Sequence, residues 1–381
     1  MVYIDPEIAP AVRERDSRLH SVMDLEDSLV GADDLLLPVN PLFTNLRRGL
    51  VRYRMSWGAL PAVAIPIGPA LKLGDEGERV ALLRERLGLS PGENFSAEAG
   101  NKVRLYQQVH ALKADGVVGE GTVASLNLGP GHYERLLMIN LDRVRTLPTA
   151  NEKERYILVD AGAARLYMFE DGRVQDSMKV IVGKAETATP MMAALLRYAS
   201  INPYWNVPTD LAQTLIAPRV LAQGLSYLEE RQYDVMSDWT EDATPLDPEA
   251  VNWQSVGAGT SQIRLRRRPG PGNSMGEVKF MMPNDFGIYL HDTPDKSLFD
   301  KDDRWISNGC VRVEDARRLA TWLFGEMPKG SDPDVEEQVD LTRPVPVYIT
   351  YMTAGATAEG VQFRPDPYGR DAALHTRYAA S

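Results

Sequence analysis

The chain is poor in cysteine, with one in 381 residues. A single thiol cannot close an internal disulfide, so the count leaves the compartment open. It does suit an enzyme that keeps one thiol free in an oxidising space. Long apolar runs are also missing, and none approaches the roughly 20 residues that a membrane-spanning helix needs. The opening Met1-Val-Tyr-Ile-Asp-Pro-Glu7 has neither the basic nor the apolar region of a signal peptide. That leaves two readings, a cytoplasmic chain or one whose export signal has been removed. Positive charge is in deficit: 42 Lys and Arg against 53 Asp and Glu leave −11, which argues against a nucleic-acid polyanion as the main partner. His20, His110, His132 and His375 are scattered without metal-ligand spacing. There is no glycine-rich phosphate loop and no Gly-x-Ser-x-Gly elbow. The expectation is a protein with no metal, no nucleotide and no organic cofactor.

What is present is the lone cysteine in particular company. Tyr289-Leu-His291-Asp-Thr293 is followed by Trp305-Ile-Ser307-Asn308-Gly309-Cys310-Val-Arg312, with 19 positions from imidazole to thiol. Free cysteine has a pKa of about 8.5, so only a few per cent is thiolate at neutral pH. An imidazole within hydrogen-bond reach raises that fraction and later returns the proton to a leaving group. Gly309 lets a substrate carbonyl approach the backbone closely. The two N–H groups around Cys310 are expected to hold a developing oxyanion. Taken singly, a lone cysteine is more often a small buried hydrophobe, and a lone histidine a hydrogen-bonded structural residue. Together, in this context, they point to thiol acyl chemistry.

Strand alternation sends Tyr289, His291 and Thr293 to one face and Leu290 and Asp292 to the other. Asp292 is therefore poorly placed to orient its neighbour's ring, and a backbone carbonyl is the expected partner of the second ring nitrogen. If the chain is extended at Cys310, Arg312 shares its face. Arg312 would then bind a substrate carboxylate, support the loop, or sit in a salt bridge inside the domain. Tyr289 either contacts substrate or packs, and packing is the expectation. Trp305, beside Asp300-Lys-Asp-Asp-Arg304, is expected to line the cleft.

The block Tyr289-Leu-His291-Asp-Thr-Pro followed by Ser307-x-Gly309-Cys310-Val-Arg312-Val resembles the L,D-transpeptidase family, with its YkuD-type catalytic domain. The longer chain is similar to the large, YcbB-like branch. Many members carry His before the glycine; Asn308 stands there in this chain, so His291 must serve alone as base. The resemblance implies a multidomain α+β fold. Its parts would be a mainly β catalytic domain with an inserted capping subdomain, a small three-helix peptidoglycan-binding domain and an N-terminal helical scaffold. It implies that Cys310 attacks the carbonyl of the third residue of a tetrapeptide stem, usually diaminopimelate, while D-Ala leaves with a proton from His291. An amine of a second stem then resolves the thioester into a 3→3 cross-link. Ser307, Asn308, Gly309, Arg312, Tyr289 and Trp305 become candidates for oxyanion and substrate positioning. The implied partners are peptidoglycan stem peptides and glycan, with a carbapenem as a donor mimic. The implied compartment is the periplasm or cell envelope. Two rivals keep the thiol: an L,D-carboxypeptidase, resolved by water, or a transpeptidase that attaches lipoproteins. A third is a wall-binding scaffold with an idle domain, against which the intact His291, Gly309 and Cys310 speak.

A length of 381 residues suits two or three domains at about 100–200 residues each. Residues 1–65 read as helix and loop, with Ala11–Val30 loosely amphipathic and a helix over Asn45–Trp57. The Pro/Gly-rich connector Leu60-Pro61 to Gly68-Pro69 marks a boundary. Residues 71–128 hold three short helical patterns and Gln107-x-x-His110-x-Leu-x-x-Asp115-Gly116-x-x-Gly119-x-x-Thr122, which resembles the signature of the peptidoglycan-binding domain. His110 itself reads as packing. A linking helix is expected over 131–150, and strands from Arg155, making 155–352 the catalytic region. Within it, 209–260 interrupts the strands, with a helix over Leu211–Leu228; its length suits a functional segment or an inserted subdomain rather than a peripheral ornament, and the resemblance implies that it caps the site. Arg264, Arg266, Arg267 and Arg268 either recognise carboxylates or line a solvated strand, with Arg266 and Arg268 on one side. The tail, 354–381, reads as Ala/Gly/Thr-rich and then polar.

Overall fold

A computed structural model describes residues 1–23, 40–149, 151–240 and 242–379. Part of the amphipathic stretch expected over Ala11–Val30 lies outside them. In chain order, β1 (Tyr3–Ile4) and helices α1 (Ala9–Met23), α2 (Pro41–Met55), α3 (Glu78–Arg86), α4 (Ala97–Val109), α5 (Glu120–Leu128) and α6 (Pro130–Val144) come first. Strands β2 (Tyr156–Asp160), β3 (Arg165–Glu170), β4 (Arg173–Gly183), β5 (Met192–Ile201) and β6 (Trp205–Val207) follow. Next come α7 (Thr209–Leu211), α8 (Ala217–Gln223), α9 (Ser226–Glu230), β7 (Tyr233–Met236), β8 (Pro245–Leu246) and α10 (Trp253–Gly257). The remainder is β9 (Arg264–Arg267), β10 (Val278–Met281), β11 (Leu290–His291), β12 (Trp305–Ser307), β13 (Val311–Val313), α11 (Ala316–Phe324), β14 (Glu337–Thr350), β15 (Ala354–Ala356), β16 (Val361–Phe363) and α12 (Arg370–Ala379). The chain divides into two compact units. One is Met1–Ser177 with Lys184–Ala193 and Pro346–Ser381; the other is Met178–Gly183 with Ala194–Val345.

In the first unit, α3, α4 and α5 enclose Val80, Leu83, Leu87, Phe95, Val103 and Leu126, each no more than 1% exposed. Each such side chain contributes about 1.5–3 kcal/mol by leaving water. The motif residues interlock there. Gln107 donates to the Val117 carbonyl at 2.9 Å and to Thr122 Oγ1 at 3.2 Å, and accepts from the Gly116 N–H at 2.8 Å. His110 is packing, as the sequence suggests: it stacks on Tyr106 and lies edge-on to Tyr133. Asn40 caps α2, accepting from the Phe43 N–H at 2.8 Å while donating to the Val144 carbonyl at 2.7 Å. The Asp171-Gly172 turn joining β3 to β4 has φ of 52° and 70°, the backbone a tight hairpin turn needs. The segment read as a tail is structured: β15 and β16 pair, and α12 is tied to α6 by Arg143 and Asp371 at 2.7 Å.

In the second unit the strands run β5, β10, β11, β13, β4, with β12 alongside β4. The β11–β13 pair is parallel and the β10–β11 pair antiparallel. Fold class follows: mainly β, with helices also present. Within 209–260 the expected single helix is broken. A π-helical turn, Ala212–Ile216, precedes α8, and Pro218 lacks the N–H an uninterrupted helix would use there. Gly224, at φ 83°, stops α8. The polar, aromatic part then enters a separate four-stranded sheet, β6-β9-β7-β8, over Ile216, Leu228, Val235, Val256 and Leu265.

Candidate active site

Strand β11 is only two residues long because the turn before it uses up the chain. Asn284 Oδ1 accepts the N–H groups of Phe286 at 3.0 Å and Ile288 at 3.1 Å, and Gly287 takes φ 61°. β11 lies between β10 and β13. In register, Lys279 faces His291 across one boundary and Arg312 faces His291 across the other. Cross-strand partners share a face, with Cβ atoms about 4.5–5.5 Å apart. One row therefore reads Lys279, His291, Arg312. The Val311 N–H donates to the Tyr289 carbonyl at 3.1 Å, which brings Cys310 beside Tyr289. The Cys310 thiol donates to the Gly287 carbonyl at 3.7 Å.

His291 is 2% exposed. Its Nδ1 lies 2.6 Å from the Asp292 carbonyl. A carbonyl only accepts, so the proton sits on Nδ1 and Nε2 carries the lone pair. Nε2 has no hydrogen-bond partner among the described residues. Burial, and next the charge of Arg312, pull the imidazole down to about 3, so the ring is neutral at pH 7. The backbone carbonyl expected from sequence thus belongs to Asp292 itself. The Asp292 carboxylate is turned elsewhere, accepting from the Glu277 N–H at 3.0 Å and from Lys296 Nζ at 2.6 Å. Gly276 permits this. It stands at φ 62°, and a Cβ there would meet Asp292 Oδ2 at 2.1 Å.

Around the thiol, Ser307 staples the loop. Its Oγ donates to the Cys310 carbonyl at 2.6 Å and accepts from the Gly309 N–H at 3.1 Å. Gly309 adopts φ 118°. This corrects the expected oxyanion pair. The amides flanking Cys310 are committed, Gly309's to Ser307 and Val311's to the Tyr289 carbonyl. The Cys310 N–H itself has no partner among the described residues. Burial pushes the thiol up, against hydrogen bonds from Tyr289 and the charges of Arg312 and Lys279, all of which favour thiolate.

The Tyr289 hydroxyl donates to Met275 Sδ at 3.5 Å and its ring lies 5.6 Å from that of His291. Burial first, then the Cys310 charge, hold its phenol above the usual range. Arg312 makes no salt bridge to any described residue, and its buried Nε has no partner. Trp305, half-buried, pairs with Val182 across β12 and β4, and Asn308 is exposed. Among the four arginines, Arg266 and Arg268 both hold Asp234, at 3.2 and 2.7 Å, while Arg267 lies over the Tyr233 ring. The alternation reading accounts for them. Sequence reasoning missed Lys279 and its partner Glu336. The one signal was the alternation in Glu277-Val-Lys279-Phe280, which sets Lys279 opposite the apolar pair.

The family model for the YkuD L,D-transpeptidase catalytic domain matches residues 154–349. A Haemophilus influenzae protein, described as a candidate L,D-transpeptidase, is 30% identical over 243 residues, 62% of this chain and 48% of that relative. The chain thus spans about half the length of the curated relative it matches. Among solved structures, the catalytic domain of an E. faecium L,D-transpeptidase acylated by ertapenem is 16% identical over 52% of this chain and 97% of its own, with a TM-score of 0.26. An L,D-transpeptidase from Mycobacterium smegmatis is 14% identical over 51% of this chain and 58% of its own, with a TM-score of 0.26.

Proposed function

This chain belongs to the YkuD L,D-transpeptidase catalytic-domain family, and we propose that it is a cysteine acyltransferase that forms 3→3 cross-links in peptidoglycan. The observation that carries the reading is that Cys310 sits in the bend leading directly into the strand Val311–Val313, which pairs with the strand of His291, with Nδ1–H spent on the Asp292 carbonyl at 2.6 Å and Nε2 left as a base. Cys310 Sγ attacks the acyl carbon of the donor's L-to-D bond, and His291 Nε2 takes its proton. The Cys310 N–H, unspent in the loop, is the donor available to the oxyanion. The proton passes to the departing D-amino acid, and an amine of a second stem resolves the thioester.

Arg312, cationic, half-buried and without a carboxylate partner among the described residues, suits a carboxylate on the stem peptide. Residues 71–128 would bind the wall polymer, and 209–260 would exclude water from the thioester so that amine resolution prevails over hydrolysis. A carbapenem would acylate Cys310 as a donor mimic, and the setting of such chemistry is the periplasm or cell envelope. Hydrolysis to a tripeptide and attachment of a lipoprotein lysine are the competing outcomes.

The test is incubation with a defined disaccharide-tetrapeptide followed by mass spectrometry. A cross-linked dimer with loss of D-Ala supports the proposal. Tripeptide alone makes the protein a carboxypeptidase, and unchanged substrate leaves a binding protein.

A further inference from the structure

Lys279 is 8% exposed yet charged. Its Nζ meets Glu336 Oε1 at 2.9 Å, and the other carboxylate oxygen accepts the Tyr204 N–H at 2.9 Å, so the anion is fixed from both sides. A buried lysine–glutamate pair is weak evidence for stability, because desolvating two ions offsets most of their attraction. Its position is more informative. In the row across the sheet, His291 has Lys279 on one side and Arg312 on the other. The remaining charged or titratable groups near the ring are few. Cys310 and Tyr289 lie toward Arg312, Glu336 is engaged with Lys279, and the Asp292 carboxylate is held by Lys296.

We propose that Lys279, anchored by Glu336, is a positioning residue that with Arg312 brackets His291 between two cations, keeping the ring a neutral base that cannot hold a captured proton for long. The proposal rests on the reading of His291 as base for Cys310. In the acylation step the Sγ–C bond forms, the C–N bond breaks, and the Sγ proton travels through Nε2 to the departing nitrogen. An imidazolium flanked by cations is a strong acid, so it delivers that proton without delay. A ring protonated in the resting enzyme would have no lone pair to offer. The direction of the electrostatics agrees: burial and then Arg312 disfavour the imidazolium, Asp292 opposes them, and Lys279 adds a smaller push in the same direction as Arg312.

The experiment follows the His291 ring by ¹⁵N NMR from pH 4 to 8, alongside carbapenem acylation rates, in the wild type, Lys279→Met, Lys279→Arg and Lys279→Gln. In the wild type the ring is expected to stay neutral across the range. In Lys279→Met its titration should move up by at least one pH unit into view, from about 3 to about 4 or higher, with acylation at pH 4 slowed at least about twofold relative to the wild type, since half of a base is protonated at its midpoint. Lys279→Arg should restore the wild-type profile, which a merely structural role would not predict. Should the Met variant fail to fold, Lys279→Gln, which can still donate to Glu336, replaces it. A folded Met or Gln variant whose ring stays as neutral as the wild type's overturns the proposal. That outcome is distinct from failure of the base assignment, which would show as unimpaired acylation by His291→Gln.

Discussion

His110 and His291 sit in matched local surroundings with opposite consequences. Both are buried, at 4% and 2% exposure, and both rings are pulled down to about 3 with burial as the main cause. Both place Nδ1 on a nearby backbone carbonyl, His110 on that of Tyr106 at 2.7 Å. The difference lies at the other nitrogen. His110 Nε2 accepts from the Tyr53 hydroxyl at 3.1 Å inside a cluster of Tyr53, Trp57, Tyr106, Tyr133 and Phe363. His291 Nε2 accepts nothing among the described residues, and Lys279 and Arg312 stand in register on either side of His291. Burial and a shifted pKa are common to core and site. What marks the site is an unspent lone pair on the strand next to the one that Cys310 leads into.

The sharpest way to break this comparison is at the thiol. Cys310→Ala should abolish the covalent carbapenem adduct seen by intact-protein mass spectrometry, and an adduct that persists would remove Cys310 from the mechanism. His291→Gln should slow acylation by roughly 10²–10⁴-fold in stopped-flow measurements, the range typical of a lost general base. His110→Phe, by contrast, should leave acylation unchanged per folded molecule. Next in size, Ser307→Ala removes one hydrogen bond to the Cys310 carbonyl and one from the Gly309 N–H. About a tenfold slower acylation is expected, with a loss of about 1–3 kcal/mol in stability by denaturant titration.

The smallest effect is shared by the two histidines. Unfolded imidazole titrates near 6.5, whereas both folded rings resist protonation until about 3. The unfolded chain therefore binds the proton more readily. Stability from these rings is full above pH 6.5 and falls as pH drops toward 3, by about 1.4 kcal/mol per pH unit for each ring. Melting curves between pH 7 and 4 should show this decline. His110→Phe should flatten it by one ring's share, and an unflattened slope would mean that His110 is charged in the fold.

Much of the site was legible in the chain because its chemistry is local in sequence. Ser307 to Cys310 is one turn, and strand alternation alone separated the Asp292 side chain from the His291 ring. The helices at 78–128 were equally readable, since Val80, Leu83 and Leu87 repeat at helical spacing. Lys279 and Glu336 were not readable. They lie 57 positions apart and meet only through the fold. The single helix expected over 211–228 failed because Pro218 and Gly224 outweigh its apolar periodicity. Strand β5 was missed because Met192–Ile201 lies mostly buried and lacks alternation. The oxyanion expectation failed for a different reason. Sequence names the amides near Cys310 but not which of them the loop has already used.

By itself the sequence determined the family, the one available nucleophile and its candidate base, because these depend on residue identity and short spacing. The tertiary structure decided the rest. It chose which nitrogen of His291 keeps its lone pair, which amide beside Cys310 stays unspent, and which cations flank the ring. Those depend on strand register, and register is set by long-range pairing that places residues such as Lys279, His291 and Arg312 in one row.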